Sequence, residues 1–341
     1  MSPPPCDSRC PAGIGRRIWL GGTGFVLLFG LCGARAQAVA ARRVGVLFTS
    51  TPEKEAVTTQ AFFERMRELG WIENSNVVYE RFYAADHHDR LPGLAVRLVA
   101  SKPDLIFAPN APPAVVASKT TSVIPIVFGT ASDPVALGLV SSLARPGRNV
   151  SGVTSLGVAL HAKRLELLAE ILPQARRVGF IGDRSPTNFV ADVERQTIEE
   201  AARKLGLELA VAECSGPQNL DAAVDSLIER RVLGALLAQT PMLYNHAKRV
   251  FDRLAEARIP AAIHRSEKVL DGALFSYAAS LPNQFRRAAE MVDQVLRGMA
   301  PRQMPVEAPT LFEFVLNMRT ARSFGIEFPA SILLRADRVI A

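Results

Sequence analysis

The sequence predicts an α/β protein of two doubly wound parallel-sheet lobes joined by a hinge, and three observations carry that reading. The stretch Ala41-Arg42-Arg43-Val44-Gly45-Val46 returns as Ala175-Arg176-Arg177-Val178-Gly179-Phe180. Each copy opens the same order: a helical run closed by Leu69-Gly70 or Leu205-Gly206, an apolar run at residues 104–108 or 233–238, and an Ile-Pro strand at residues 124–128 or 259–263. Short apolar runs bounded by Gly and Pro, alternating with amphipathic segments, are the pattern of parallel strands joined by helical crossovers. Two such lobes enclose a cleft at the carboxyl ends of their strands, where open α/β sheets take ligands.

In chain order, residues 1–38 read as a cleavable export signal. Arg16-Arg17 supplies the positive start, residues 18–31 an apolar run too short to span a bilayer comfortably, and Ala34-Arg35-Ala36 a small-x-small cleavage pattern. Cleavage after Ala36 or Ala38 fits equally well. Arg16-Arg17-Ile18-Trp19-Leu20, followed by Gly21, Gly22 and Gly24, also fits a twin-arginine signal, with Sec export the default. Cys32 follows Leu31, where a lipidation motif wants a small residue, so no lipid anchor is expected. An uncleaved signal would tether the same domain outside the cytoplasmic membrane. Either way the expected location is periplasmic.

Removing the signal changes the composition. The 341-residue chain carries a formal charge of +7, but Arg9, Arg16, Arg17, Arg35 and Asp7 leave with the signal, so the mature charge is +4. The remaining charge is spread along helix faces, without basic runs interleaved with aromatics, and predicts no nucleic-acid partner. Cys6, Cys10 and Cys32 also leave, so Cys214 has no partner for a disulfide. A mature chain of roughly 300 residues fills its cores without such staples.

A strand at residues 44–48 feeds a helix at 53–69, whose Ala61, Phe62, Met66 and Leu69 recur at helical spacing. A strand follows at 77–82, then a helix begun by a capping Asp89 and by Pro92. Pro112-Pro113 begins the helix after the strand at 104–108, and Asp133-Pro134 begins another after the strand at 125–128. Residues 150–154 form the last strand before the chain changes lobes, and 155–160 are the hinge candidate. A helix runs from Leu281-Pro282 to Leu296, and a strand at 311–316 follows a Pro-rich stretch. The expected lobes are residues 39–154 with about 281–306, and 155–280 with about 307–341.

Several ordered segments resemble a known family. Arg43-Val44-Gly45-Val46-Leu47, Asp89-Arg90-Leu91-Pro92-Gly93-Leu94-Ala95, Asp133-Pro134-Val135-Ala136-Leu137-Gly138-Leu139-Val140, Leu143-Ala144-Arg145-Pro146-Gly147-Arg148-Asn149-Val150, Lys163-Arg164-Leu165-Glu166-Leu167-Leu168 and Leu333-Leu334-Arg335-Ala336-Asp337 are similar to the ABC-transporter substrate-binding protein family that includes a tryptophan-binding lipoprotein. The resemblance covers essentially the whole chain after the signal. It implies a type I periplasmic-binding-protein fold with a three-strand hinge, and delivery of a small solute, an amino acid or other small carboxylate, to a membrane permease. In that family the segment at Ser276-Tyr277 continues Gly-Pro-Asp, whereas here Ala278, Ala279 and Ser280 follow. Any amine-binding carboxylate there is missing.

Candidate ligand residues follow from the strand ends. Phe48-Thr49 closes the first strand, and Asn110-Ala111 opens a helix whose N-terminus suits a carboxylate, with capping the other reading of Asn110. Thr130 and Ser132 are ligand donors one strand later, with Asp133 as the cap. In the second lobe Arg184, Gln239-Thr240, Tyr244 and His264 hold equivalent positions, Arg184 as an anion clamp or as a solvated partner of Asp183. Phe48, Phe128 and Tyr277 offer aromatic faces or belong to the cores.

Enzyme readings find little support. No Gly-x-Ser-x-Gly elbow, phosphate loop or Gly-x-Gly-x-x-Gly fingerprint appears, and Asp86-His87-His88-Asp89 reads as a solvated turn. No catalytic residue, metal or cofactor is expected. A two-lobed regulator would need a helix-turn-helix before the first strand, where the export signal stands. A two-lobed sensory protein is the remaining alternative to a transporter component.

The mature chain should begin at Gln37 or Val39, which intact-mass analysis of the periplasmic protein reads directly. Met1 retained on a cytoplasmic product overturns the export reading, and Arg16→Lys with Arg17→Lys stalls a twin-arginine substrate while sparing a Sec one.

Overall fold

The computed structural model describes residues 41–186 and 188–341, and the export signal expected over residues 1–38 lies outside the described residues. The first lobe runs β1 (Arg42–Phe48), α1 (Pro52–Glu68), β2 (Val77–Tyr83), α2 (Leu91–Ala100), β3 (Leu105–Ala108), α3 (Ala111–Thr120), β4 (Ile126–Ala131) and β5 (Val150–Thr154). Its sheet has the order β2-β1-β3-β4-β5, parallel throughout. Every residue of β3 and β5 is buried, as the continuous apolar runs of strands covered on both faces require. On one face Phe62 of α1 stacks on Phe107 of β3 with ring centroids 3.8 Å apart. The other face is covered by α2 and α3 through Leu94, Leu98 and Val115.

The second lobe runs α4 (Gly157–Ile171), β6 (Arg177–Asp183), α5 (Ala191–Lys204), β7 (Glu208–Cys214), α6 (Leu220–Glu229), β8 (Ala235–Leu237), α7 (Pro241–Asn245), α8 (Ala247–Glu256), β9 (Ala261–Ile263) and β10 (Phe275–Ala279). The chain then returns to the first sheet as α9 (Leu281–Leu296), which packs on α1 and against β3, β4 and β5. It crosses back to form β11 (Phe312–Asn317), α10 (Met318–Phe324), α11 (Ala330–Arg335) and β12 (Arg338–Ile340). The second sheet is ordered β12-β11-β10-β9-β8-β6-β7, and β10 and β11 are antiparallel. This departs from an all-parallel sheet because β11 enters from the other lobe, at the end where β10 leaves.

Three short crossings join the sheets and are laced together. Ser151 Oγ donates to Met304 O at 2.8 Å, Glu307 N to Gly152 O at 3.0 Å, Thr154 N to Glu307 O at 2.9 Å, and Ser280 N to Leu311 O at 2.9 Å. The hinge expected over residues 155–160 is shorter, because α4 begins at Gly157, and Leu156 makes the turn in the left-handed region at φ 51°. Asp89 caps no helix: it sits in a 3-10 turn, and α2 follows Arg90 without a side-chain cap. After β4 the chain makes turns rather than a helix, although Asp133 Oδ1 does accept from Ala136 N at 2.9 Å. Cys214 is buried and free, its thiol pushed up to about 12 by burial.

Gly152 of β5 has no room for a side chain, since a Cβ would lie 2.2 Å from Phe128 O and 2.5 Å from its ring. Gly152→Ala is therefore expected to destabilise the fold by roughly 1–3 kcal/mol or more, measured by denaturant unfolding. An unchanged midpoint contradicts that close approach.

Candidate functional site

The carboxyl ends of the two sheets enclose a cleft of about 490 Å³, within the range of small-molecule sites. On the first-lobe wall, Thr49 and Ser50 end the β1 turn and Glu55 projects from the first turn of α1. Glu55 Oε1 accepts from Ser50 N at 2.9 Å and from Thr49 Oγ1 at 3.2 Å. Burial pushes this carboxyl up, with those two hydrogen bonds opposing. Asp86 accepts from Ser50 Oγ and from Lys54 Nζ, each at 2.8 Å. Burial works to raise the Asp86 carboxyl, but the Lys54 and Ser50 bonds prevail and hold it low.

Asn110 does not cap α3 with its side chain. Its Nδ2 donates to Thr49 Oγ1 at 3.1 Å, while its Oδ1 is buried without a partner. The orientation follows from Thr49, whose hydroxyl proton goes to Glu55 and which must therefore accept from Asn110. One strand on, Thr130 Oγ1 donates to Gln284 Oε1 at 2.9 Å, and Ser132 lines the same wall.

On the second-lobe wall, Gln239 Nε2 donates to Ser155 Oγ in the first crossing at 3.1 Å, leaving Oε1 buried and unpartnered. Thr240 accepts from Leu243 N and caps α7. Tyr244 lies between two cations, with Arg265 4.9 Å and Lys268 4.8 Å from its ring centroid. His264 is 5 % exposed, and its Nδ1 has no partner. Burial, aided by Arg265, Arg164 and His161, drives the imidazole well below its usual range, so it is neutral. A buried lone pair without a partner costs less than a buried N–H without one, which favours the tautomer with the proton on Nε2.

The structure thus brings Thr49, Asn110, Ala111, Thr130, Ser132, Gln239, Thr240, Tyr244 and His264 into one cleft. Three candidates lie elsewhere. Phe48 is 1 % exposed and stacks on Tyr83 at 4.8 Å, inside the first core. Arg184 lies over the β7 edge of the sheet, bonded to Glu213 at 3.0 Å and Asp192 at 2.6 Å, because β7 and not the cleft flanks the end of β6. Tyr277 turns its ring to Phe312 and Phe314. Sequence reasoning missed Glu55, Lys268 and Gln284; Asp86, which it placed in a solvated turn, is exposed in a turn that borders the cleft. A signal for Glu55 existed: it shares the core-facing row of α1 with Thr59, Phe62 and Met66. Among the described residues, no three His, Cys, Asp or Glu side chains gather as a metal site.

Residues 45–340 match the model of the ABC transporter substrate binding protein family. The chain belongs to that family. Its members are substrate-binding proteins, not enzymes. A relative, the tyrosine-binding protein of Clostridioides difficile strain R20291, is 27% identical over 269 residues, 79% of this chain and 76% of that protein. Among solved structures, an ABC domain in complex with L-Trp from Streptococcus pneumonia is 21% identical, covers 88% of this chain and 100% of its own, and superposes with a TM-score of 0.82. A conserved domain protein from Vibrio cholerae is 23% identical at the same score, covering 88% and 99%. The fold is that of the type I periplasmic binding proteins.

If the cleft of this substrate-binding protein holds the solute, Asn110→Ala and Gln239→Ala should each weaken binding roughly ten- to a hundredfold, the usual consequence of leaving a buried polar partner unsatisfied. The ligand-free melting temperature should shift little, because each side chain makes a single hydrogen bond at a cleft wall. Calorimetry showing both variants binding as tightly as the parent moves the site to the crossings near Ser155 and Tyr277.

Proposed function

We propose that this chain is the extracytoplasmic solute-binding component of an ABC importer, and that its solute is an α-amino acid with an aromatic side chain, handed to the permease by the closed form. The observation that carries this reading is the division of charge across the cleft. The first-lobe wall holds Glu55, which has no cationic partner among the described residues, and Asp86, paired with Lys54; the second-lobe wall holds Arg265 and Lys268, paired with Glu267 and Asp271, beside the neutral His264. A zwitterion lying across the cleft sets its ammonium toward Glu55 and its carboxylate toward Arg265. Arg265 and the His264 Nε2–H receive the carboxylate, the role sequence reasoning gave to Arg184. Thr49, Asn110, Ala111, Thr130 and Ser132 from one wall, and Gln239, Thr240 and Tyr244 from the other, complete the contact set. Tyr244 lines the cleft beside Arg265 and Lys268, with its hydroxyl donating to Glu267 at 3.3 Å.

The relatives point the same way, one being a tyrosine-binding protein and another an ABC domain in complex with L-Trp. Ligand bridging two lobes on short crossings favours the closed form by its differential contacts, and the permease reads that form.

A thermal-shift screen tests the reading. L-tyrosine, L-tryptophan or L-phenylalanine should raise the melting temperature of the mature protein, since a ligand at a hundred times its dissociation constant adds about 2.7 kcal/mol. Stabilisation by sugars with none by amino acids overturns it.

A further inference from the structure

The first turn of α1 buries a carboxylate in a row that otherwise faces the core. Glu55 is 4 % exposed and lines up with Thr59, Phe62 and Met66. Its Oε1 accepts from Ser50 N and Thr49 Oγ1, the Thr49 backbone also supports the ionised carboxyl, and Glu55 lines the cleft. No Lys or Arg among the described residues forms an ion pair with it. Lys54, its neighbour in sequence, reaches Asp86 instead, and the charge felt by Glu55 is that of Asp86, which has the same sign. A buried charge is costly unless a counter-charge and hydrogen bonds compensate it. The α1 N-terminus offsets part of that cost, but a helix end supplies only a fraction of a charge.

We propose that Glu55 receives the ammonium group of the ligand and completes its ion pair only when the cleft is occupied. This rests on the amino-acid reading above and assigns the amine end of that ligand. It also supplies a carboxylate from α1 in a cleft whose hinge strand carries Ala278, Ala279 and Ser280.

Proton linkage follows. Burial already favours the protonated form of Glu55, and an arriving ammonium favours the ionised form, so binding lowers its pKa. Affinity is constant above the raised pKa. As pH falls through it, the proton must leave before the ammonium is accepted, and affinity drops by up to about tenfold per pH unit. The groups facing this corner are Lys54 on α1, Tyr83 of β2, and Asp86 and His88 after it. From the other lobe come Tyr244, His246, His264, Arg265 and Lys268. Burial raises both tyrosines, keeping them uncharged, and lowers all three histidines. His88 and His246, once protonated, oppose a cation in the same direction as protonated Glu55, so the Glu55→Gln chain is the necessary control.

Calorimetry on the mature protein and on Glu55→Gln, between pH 5 and 8, should use L-tyrosine, tyramine and 3-(4-hydroxyphenyl)propanoate. Glu55→Gln is expected to weaken L-tyrosine and tyramine by about tenfold or more, leave the propanoate within about twofold, and flatten the acid-side fall in affinity. Ligand-free Glu55→Gln should melt no lower than its parent, since a glutamine oxygen still accepts from Ser50 N and an unpaired buried charge is gone. Undiminished tyrosine binding by Glu55→Gln, or an equal loss for all three ligands, overturns the proposal. Tyramine binding without tyrosine binding sinks the amino-acid reading and leaves the Glu55 assignment standing. Wild-type binding of the propanoate alone, or of none of the three and of neither L-tryptophan nor L-phenylalanine, removes both.

Discussion

The cleft depends on a guanidinium buried behind it. Arg164 of α4 is fully buried, with Nη1 donating to Tyr277 O at 3.0 Å and Nη2 to Gly157 O at 3.2 Å. Those carbonyls lie next to two of the crossings between the lobes, so one side chain ties the start of α4 to the end of β10. Among the described residues no carboxylate forms an ion pair with Arg164. Its Nη2 meets His161 Nδ1 at 3.0 Å, and His161 Nε2 lies 3.3 Å from Glu194 of α5. An arginine has no lone pair to offer, so His161 accepts at Nδ1 and gives its Nε2 proton to Glu194. Burial and the Arg164 charge both hold that imidazole low, which agrees with a neutral bridge between a cation and an anion. Burial draws the guanidinium down to about 10, still protonated at neutral pH. Losing either end would strand a buried charge.

With the crossings fixed, each wall inherits its chemistry from the elements behind it. The first-lobe wall is organised by hydroxyl groups that pass on direction: Thr49 donates to Glu55 and so orients Asn110. Ser155 plays the same part on the other side, donating to Ala131 O at 3.3 Å and accepting from Gln239. Each relay fixes an amide with its nitrogen on a hydroxyl and its oxygen buried without a partner. Gly157 belongs to this arrangement, because a Cβ there would lie 2.6 Å from Gln239 Oε1.

Much of this was legible in the chain. The repeated Ala-Arg-Arg-Val-Gly motif marks β1 and β6, and the helix read from Leu281-Pro282 to Leu296 is α9. Strand ends also located most of the cleft, because a parallel sheet delivers all its carboxyl ends to one edge. Sequence position does not say which way a side chain leaves that edge. Arg184 follows β6 as Gln239 follows β8, yet β6 neighbours the edge strand β7 and β8 lies nearer the centre. Tyr277, which the sequence left open between an aromatic face and a core, packs on the core, because position along a strand does not distinguish the two. Glu55 was missed for another reason: an acid in the first turn of a helix has an ordinary explanation in the helix dipole, which concealed that this row is buried.

Three of the residues that line the cleft carry a buried polar atom without a partner. Asn110 Oδ1, Gln239 Oε1 and His264 Nδ1 are buried without partners, and Glu55 is buried without a cation. Groups left in that condition favour a state that supplies what they lack, by about 1–3 kcal/mol each where a good partner arrives. A solute that satisfies one wall alone gains part of this in either form of the protein. One that reaches both walls gains the rest only when the lobes are together, and that difference is what a ligand needs to shift a two-state equilibrium. On the proposed amino-acid reading, an ammonium and a carboxylate on one carbon supply unlike groups to the two walls.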